Sequence, residues 1–269
     1  MAGRDVMTAR TRVARTAAFL VLVMVAGTAD LAAQSDEEFE QVYPFIGNWE
    51  TDISSPDGQD RGNCGGRTGD YGERLLNCSL PVDQLSLNAR AEAWLKYMDQ
   101  MQSPTIAGCA SIGLPALLGE GAFISAAPGR VVIGHQAVTR TIWMNGSGPR
   151  PTSAELFQHG YSTGRFDGSD LVVETTQFTF DPDGIDDHLH MASSVRKKVT
   201  ERYRLIDDNT LRLIITLDDP TFLTKPFTYA ILQTKKPGGP TAAWRACDPD
   251  LARREIEFAY PGNKYPDGK

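Results

Sequence analysis

After residue 26 the chain has no stretch apolar for the roughly 18 residues that a spanning helix needs, so it predicts no stable membrane insertion. It has no basic cluster larger than Arg196-Lys197-Lys198, and its net charge of −7 repels phosphate backbones. Nucleic acid is therefore excluded as an expected partner. No glycine-rich dinucleotide fingerprint occurs, which disfavours redox chemistry on a bound nucleotide. Cysteine is scarce, at four residues with no Cys-x-x-Cys pair, which argues against a zinc-thiolate site.

The residues present point to export. Arg4, Arg10, Arg12 and Arg15 precede an apolar run from Ala17 to Ala26, and small residues follow at Ala29 and Ala32-Ala33. That order is the pattern of a signal peptide over residues 1–33, with a periplasmic or secreted mature chain. In an oxidising compartment the even count of Cys64, Cys78, Cys109 and Cys247 favours two disulfides. Three connectivities are open; the preferred one joins Cys64 to Cys78 locally and Cys109 to Cys247 across the fold.

Residues 34–269 read as one domain, because no linker or internal repeat divides them. Phe45, Trp49 and Ile53 suit a first strand. A loop and helix insertion follows at about 57–115, with Leu87, Ala91, Trp94, Leu95 and Met98 at helical spacing over about 86–101 and Ser86 as its N-cap. From Arg130 the period becomes two. "RVVIGHQAV", "TRTIWM", the hairpin "TGRFDGSDLVVETTQF", the hairpin "KVTERYRLIDDNTLRLIITL" and the pair "FTYAILQTK" and "TAAWRACD" predict a mainly β fold. The expected architecture is an antiparallel meander closed, or nearly closed, into a lipocalin-like barrel, because closure removes edges that would pair with neighbours.

Gly160-Tyr161-Ser162-Thr163-Gly164 has the spacing of a hydrolase nucleophile elbow. An elbow requires a helix directly after the serine, and Asp167-Gly168 followed by Val172-Val173 predicts a hairpin instead. The longer pattern "HGYSTGRFDGSDLVVETTQF", with "VTERYRL", "LDDPTFLTKPF", Cys109-x-x-x-Gly113-x-Pro115 and Cys247, resembles a family of exported bacterial proteins of unknown function. The resemblance spans roughly Cys109 to Cys247 and implies a β-barrel-like fold with no established activity. Phe166 stands where that pattern has tryptophan, and the segment Asp181 to Ser194 is longer and richer in His and Asp. Gly47-Asn48-Trp49 is similar to the lipocalin Gly-x-Trp, whose tryptophan plugs one barrel end.

Polar chemistry gathers in "FDPDGIDDHLHMASS". On an extended strand His188 and His190 point to one face, a geometry for ligating a transition metal with Asp186 or Asp187. A further ligand would come from His135, His159 or Glu201, and the alternative is a solvated acidic loop. No organic cofactor is implied. Glu201 shares a strand face with Val199, Tyr203 and Leu205, so it is either a general acid/base or half of an ion pair, with Arg140 and Arg165 as candidate partners. Two functions follow. The first is a binding module whose cavity, lined by Trp49, Trp143, Arg165, Phe178 and Tyr203, holds a small hydrophobic or aromatic molecule. The second is a lyase, isomerase or hydrolase using His159, His188, His190 and Glu201 in the same cavity.

Overall fold

A computed structural model describes residues 37–51, 74–75, 85–98, 110–135, 138–186 and 191–238. The fold is mainly β, and nine strands close into a barrel. A helical segment over 37–42 and a single 3-10 turn at Tyr43–Phe45 lead into β1 (Gly47–Thr51), so Phe45 precedes the first strand rather than belonging to it. A short β2 (Arg74–Leu75) comes next, and α1 (Ala89–Tyr97) follows it. The helix is shorter than its apolar spacing predicts. Asn88, not Ser86, is its N-cap, accepting from the backbone N–H of Arg90 and Ala91. Of its apolar stripe Ala91 is buried, and Trp94 meets Phe180 edge-on at 5.6 Å.

The remaining strands are β3 (Ala122–Ala127), β4 (Arg130–His135), β5 (Val138–Met144), β6 (Tyr161–Asp167), β7 (Asp170–Thr176), β8 (Asp181–Asp186), β9 (Met191–Ser193), β10 (Lys198–Asp207), β11 (Thr210–Asp218) and β12 (Phe227–Lys236). The barrel runs β1-β3-β4-β5-β6-β7-β10-β11-β12, and β12 pairs back onto β1. The expected hairpins β6–β7 and β10–β11 form with continuous registers. β3 and the separate β8–β9 ribbon are additions that the sequence expectation lacked. "TAAWRACD" lies outside the described residues.

Every neighbouring pair in the barrel is antiparallel except β5 and β6. A closed barrel with an odd number of strands must contain at least one like-directed pair, and a like-directed pair needs a long connection. Residues 145–160 are that connection, and they return along the outside of the wall.

Registers place one set of side chains inside: Ile124, Val131, Ile133, Ile142, Met144, Leu171, Val173, Val199, Leu211, Leu213, Ile215 and Leu217. Each is inaccessible or nearly so, so the middle of the barrel is packed. The outer face of β10 carries Thr200, Arg202 and Arg204, with Arg202 and Arg204 gripping Asp170 of β7 at 2.8 and 2.5 Å. Apolar inside and polar outside is the reverse of a membrane barrel. Among the described residues no helix is long and apolar enough to cross a membrane.

Both ends are stoppered. At one, Val42 and Phe45 are buried and the Trp49 indole Nε1 donates to the Phe45 carbonyl at 2.7 Å. At the other, a strap over residues 110–121 buries Leu114, Leu117 and Leu118. Its carbonyls are read from around the barrel: Lys197 donates to Leu114, Gln233 to Leu118, Thr51 to Gly119, and His135 Nδ1 lies 2.8 Å from the Gly121 oxygen.

Candidate functional site

Directly beneath the strap the packed interior turns polar. Arg140 on β5 and Glu201 on β10 form a bidentate pair, with Nη2 to Oε1 at 2.7 Å and Nη1 to Oε2 at 3.1 Å. The Tyr203 hydroxyl donates to Oε2 at 2.6 Å, and Arg140 Nη2 also reaches Ser162 and Thr175 at 3.2 and 3.3 Å. Ser162 and Thr175 bond each other at 2.9 Å. Burial opposes the Arg140 charge, but the Glu201 carboxylate more than offsets it and holds its pKa above the ordinary value. Burial, reinforced by the Glu201 charge, pushes the Tyr203 phenol well above its usual range. His135 faces the same space and falls to about 4, through burial first and the Arg140 charge second.

Ser162 sits within β6, not ahead of a helix, and its hydroxyl is consumed by Arg140 and Thr175. The elbow spacing is coincidental. Arg165 lies one residue out of step with the inward Ser162 and Gly164, so it projects from the outer face and does not meet Glu201. Trp143 likewise alternates with the inward Ile142 and Met144 and faces outward. Trp49, Phe178 and Tyr203 belong to the packed core and are not among the residues around the lateral cavity. The four cysteines, His188 and His190 lie outside the described residues, and only the backbone of Asp186 is within them. Among the described residues no three His, Cys, Asp or Glu side chains converge as a metal site.

The outward Trp143 belongs to a pocket of its own. β5 and β6 pair only over Ile142–Met144 and Ser162–Gly164, and ahead of that contact the strands separate. Between Thr139, Thr141 and Trp143 of β5 and the returning segment at Pro149, Pro151 and Phe157 lies a lateral cavity of about 470 Å³. His159, Gly160 and Tyr161 line it, and Arg140 and Ser162 reach it from inside the wall.

The outer wall is held rigidly. Gln177 has a left-handed backbone, φ 57°, and its amide donates to the carbonyls of Thr152 and Glu155 at 2.7 and 3.1 Å. Its own carbonyl accepts from the Phe157 N–H at 2.8 Å. Such strain in a non-glycine residue persists only where surrounding contacts over-determine it. The Tyr161 hydroxyl donates to the Pro149 carbonyl, and Gly148 backs directly on the Trp143 ring and the Tyr161 hydroxyl.

His159 lines this pocket with Nε2 2.9 Å from Ser111 Oγ on the strap, and its Nδ1 has no partner among the described residues. Burial, then the charges of Arg140 and Lys197, lower its pKa to about 4, so the imidazole is neutral at ordinary pH. His159 does not bond Glu201, whose acceptors are taken by Arg140, Tyr203 and Thr175. Of the pocket residues, Tyr161 is readable as outward by parity with Ser162. Ser111, Phe157 and Gln177 carry no local signal, because a long-range contact positions each.

Fold and site together define a closed, end-plugged nine-stranded barrel with a lateral pocket among the described residues. No family model, curated protein or solved structure matches the chain.

Proposed function

We propose that this protein is an exported binding module for a small hydrophobic or aromatic molecule, held in the lateral pocket between β5 and β6 rather than along the barrel axis. The observation that carries the reading is the pocket's construction. Its volume of about 470 Å³ lies within the roughly 300–1,000 Å³ of small-molecule sites, and its walls are aromatic and prolyl: Trp143, Phe157, Tyr161, Pro149 and Pro151. A strained residue, Gln177, is retained to fix the wall. A rigid aromatic site loses little conformational entropy on binding. Arg140 and the neutral His159 supply a few polar groups that orient a ligand by a hydroxyl, amine or carbonyl. The acidic balance of the chain supports the absence of a nucleic-acid partner. The amino-terminal basic and apolar pattern supports a periplasmic or secreted location.

The test is titration of the protein with N-phenyl-1-naphthylamine, a fluorescent apolar aromatic. Saturable enhancement that Thr141→Trp weakens at least tenfold is expected, because the indole would occupy the cavity. Enhancement that Thr141→Trp leaves unchanged overturns the assignment.

A further inference from the structure

We propose that Ser111 and His159 act as a nucleophile and base pair, giving the lateral pocket an acyl-hydrolase activity towards small esters with apolar or aromatic groups. The proposal rests on the pocket reading above and adds chemistry to it. Ser111 Oγ lies 2.9 Å from His159 Nε2, the reach at which an imidazole takes a hydroxyl proton. Both partners are fixed. Gln158 Nε2 donates to the Ser111 carbonyl at 3.3 Å, and the turn before β6 is closed by Gly160 N–H to Phe157 O at 3.1 Å. The 2.9 Å separation is therefore imposed by two anchored main chains that lie 48 positions apart.

Ser162 is spent on Arg140 and Thr175, whereas Ser111 Oγ has His159 as its partner among the described residues. His159 lines the pocket and Ser111 adjoins it on the strap, so an ester must seat its carbonyl at the His159 edge of the cavity to meet the hydroxyl. The depressed basicity of His159 keeps Nε2 unprotonated through the neutral range, as a general base requires. Arg140 borders the same pocket and places positive charge beside a developing oxyanion.

In the first step Ser111 Oγ bonds to the ester carbonyl carbon and its proton passes to His159 Nε2. The tetrahedral adduct then expels the alkoxide, which takes that proton and leaves as the alcohol. Water next attacks the acyl-serine, gives one proton through His159 back to Ser111 Oγ and releases the acid. One ester and one water become one acid and one alcohol. No carboxylate bonds His159 Nδ1 among the described residues, so turnover is expected to be slow, as in triads deprived of their acid.

The test is treatment of the purified protein with a fluorophosphonate reagent, with the adduct mapped by peptide mass spectrometry, beside p-nitrophenyl butyrate turnover. A single adduct on Ser111 is expected, with labelling at least tenfold slower in His159→Gln. Ser111→Ala should lose turnover at least tenfold while still binding N-phenyl-1-naphthylamine. Between pH 6 and 8 the labelling rate constant should be flat, falling only below about pH 5. Ser111→Cys guards against misfolding: it should lose phosphonylation and gain alkylation by iodoacetamide at that position. Intact probe binding without a Ser111 adduct, or wild-type turnover in Ser111→Ala, overturns the acyl-transfer step alone. Loss of probe binding in the unmodified protein overturns the pocket reading as well.

Discussion

Arg140 on β5 and Glu201 on β10, with β6 and β7 between them in the wall, meet inside the barrel with neither side chain appreciably exposed, 2% and 0%. A buried pair of this kind adds little net stability, but removing one partner strands the other charge out of water. Glu201→Gln should therefore cost about 3–5 kcal/mol, lowering the thermal midpoint by roughly 10 °C or more. The double replacement Arg140→Met with Glu201→Leu should recover most of that loss, short of about 1 kcal/mol for the orphaned Tyr203 hydroxyl. Thermal melts of the two variants check this, and a double variant as unstable as Glu201→Gln would contradict it.

Acid should destabilise the fold before its carboxylates titrate. His135 falls from an ordinary 6.5 to about 4 in the folded chain, mainly through burial, with Arg140 adding to the drop and the Gly121 carbonyl, then Glu201, resisting it. Between those values the unfolded chain binds the extra proton, so the stabilisation is complete above pH 6.5 and is lost as pH falls towards 4. The loss from His135 is about 3 kcal/mol, and His159 contributes with the same sign. Urea unfolding at pH 7 and pH 5 should show about 2 kcal/mol of the His135 part, and His135→Gln should remove that share and leave the His159 contribution.

The alternation of apolar and polar residues made β4, β5, β6 and β10 legible, because inward residues are more buried than their neighbours. β7, β11 and β12 were legible from their β-branched and apolar runs between turn signals. β3, "AFISAA", is poor in β-branched residues, and β8 contains Pro182 and Gly184, so neither advertises a strand. The inward face of β5 carries Arg140 beside Ile142 and Met144, while its outer face carries Trp143. A buried arginine opposite an outward tryptophan inverts the usual reading, which is why Trp143 was expected inside. The direction of β6 relative to β5 is a property of the whole wall, and the lateral pocket follows from that direction rather than from any motif.

Alkaline solution should have the opposite consequence at the strapped end. Lys197 is wholly enclosed, its ammonium donating to Leu114 and Gly184 at 2.6 and 2.7 Å and lying 4.3 Å above the Phe178 ring. Burial brings its pKa from 10.5 to about 7, against the pull of Asp181 and Asp219. The folded chain therefore binds fewer protons between pH 7 and 10.5, and stability from this group rises across that window. Denaturant midpoints from pH 7 to 10 should increase, and Lys197→Met should abolish the rise. An unchanged slope in that variant would assign the effect elsewhere.

Gly148 separates pocket from barrel. A Cβ there would collide with the Trp143 ring and the Tyr161 hydroxyl, yet neither side chain is part of the inward core. Gly148→Ala should thus displace the pocket wall while leaving the buried registers intact. N-phenyl-1-naphthylamine affinity is expected to fall at least tenfold, with a stability loss of no more than about 1–2 kcal/mol. Gly160→Ala is the contrast: its φ of 70° and the proximity of Thr175, Phe178 and the Thr176 carbonyl place any side chain against backbone and core. That variant should lose binding and about 3 kcal/mol or more of stability together. The two measurements, made side by side, separate damage to the site from damage to the fold. Equal destabilisation in both variants would show that the outer wall is structurally continuous with the barrel.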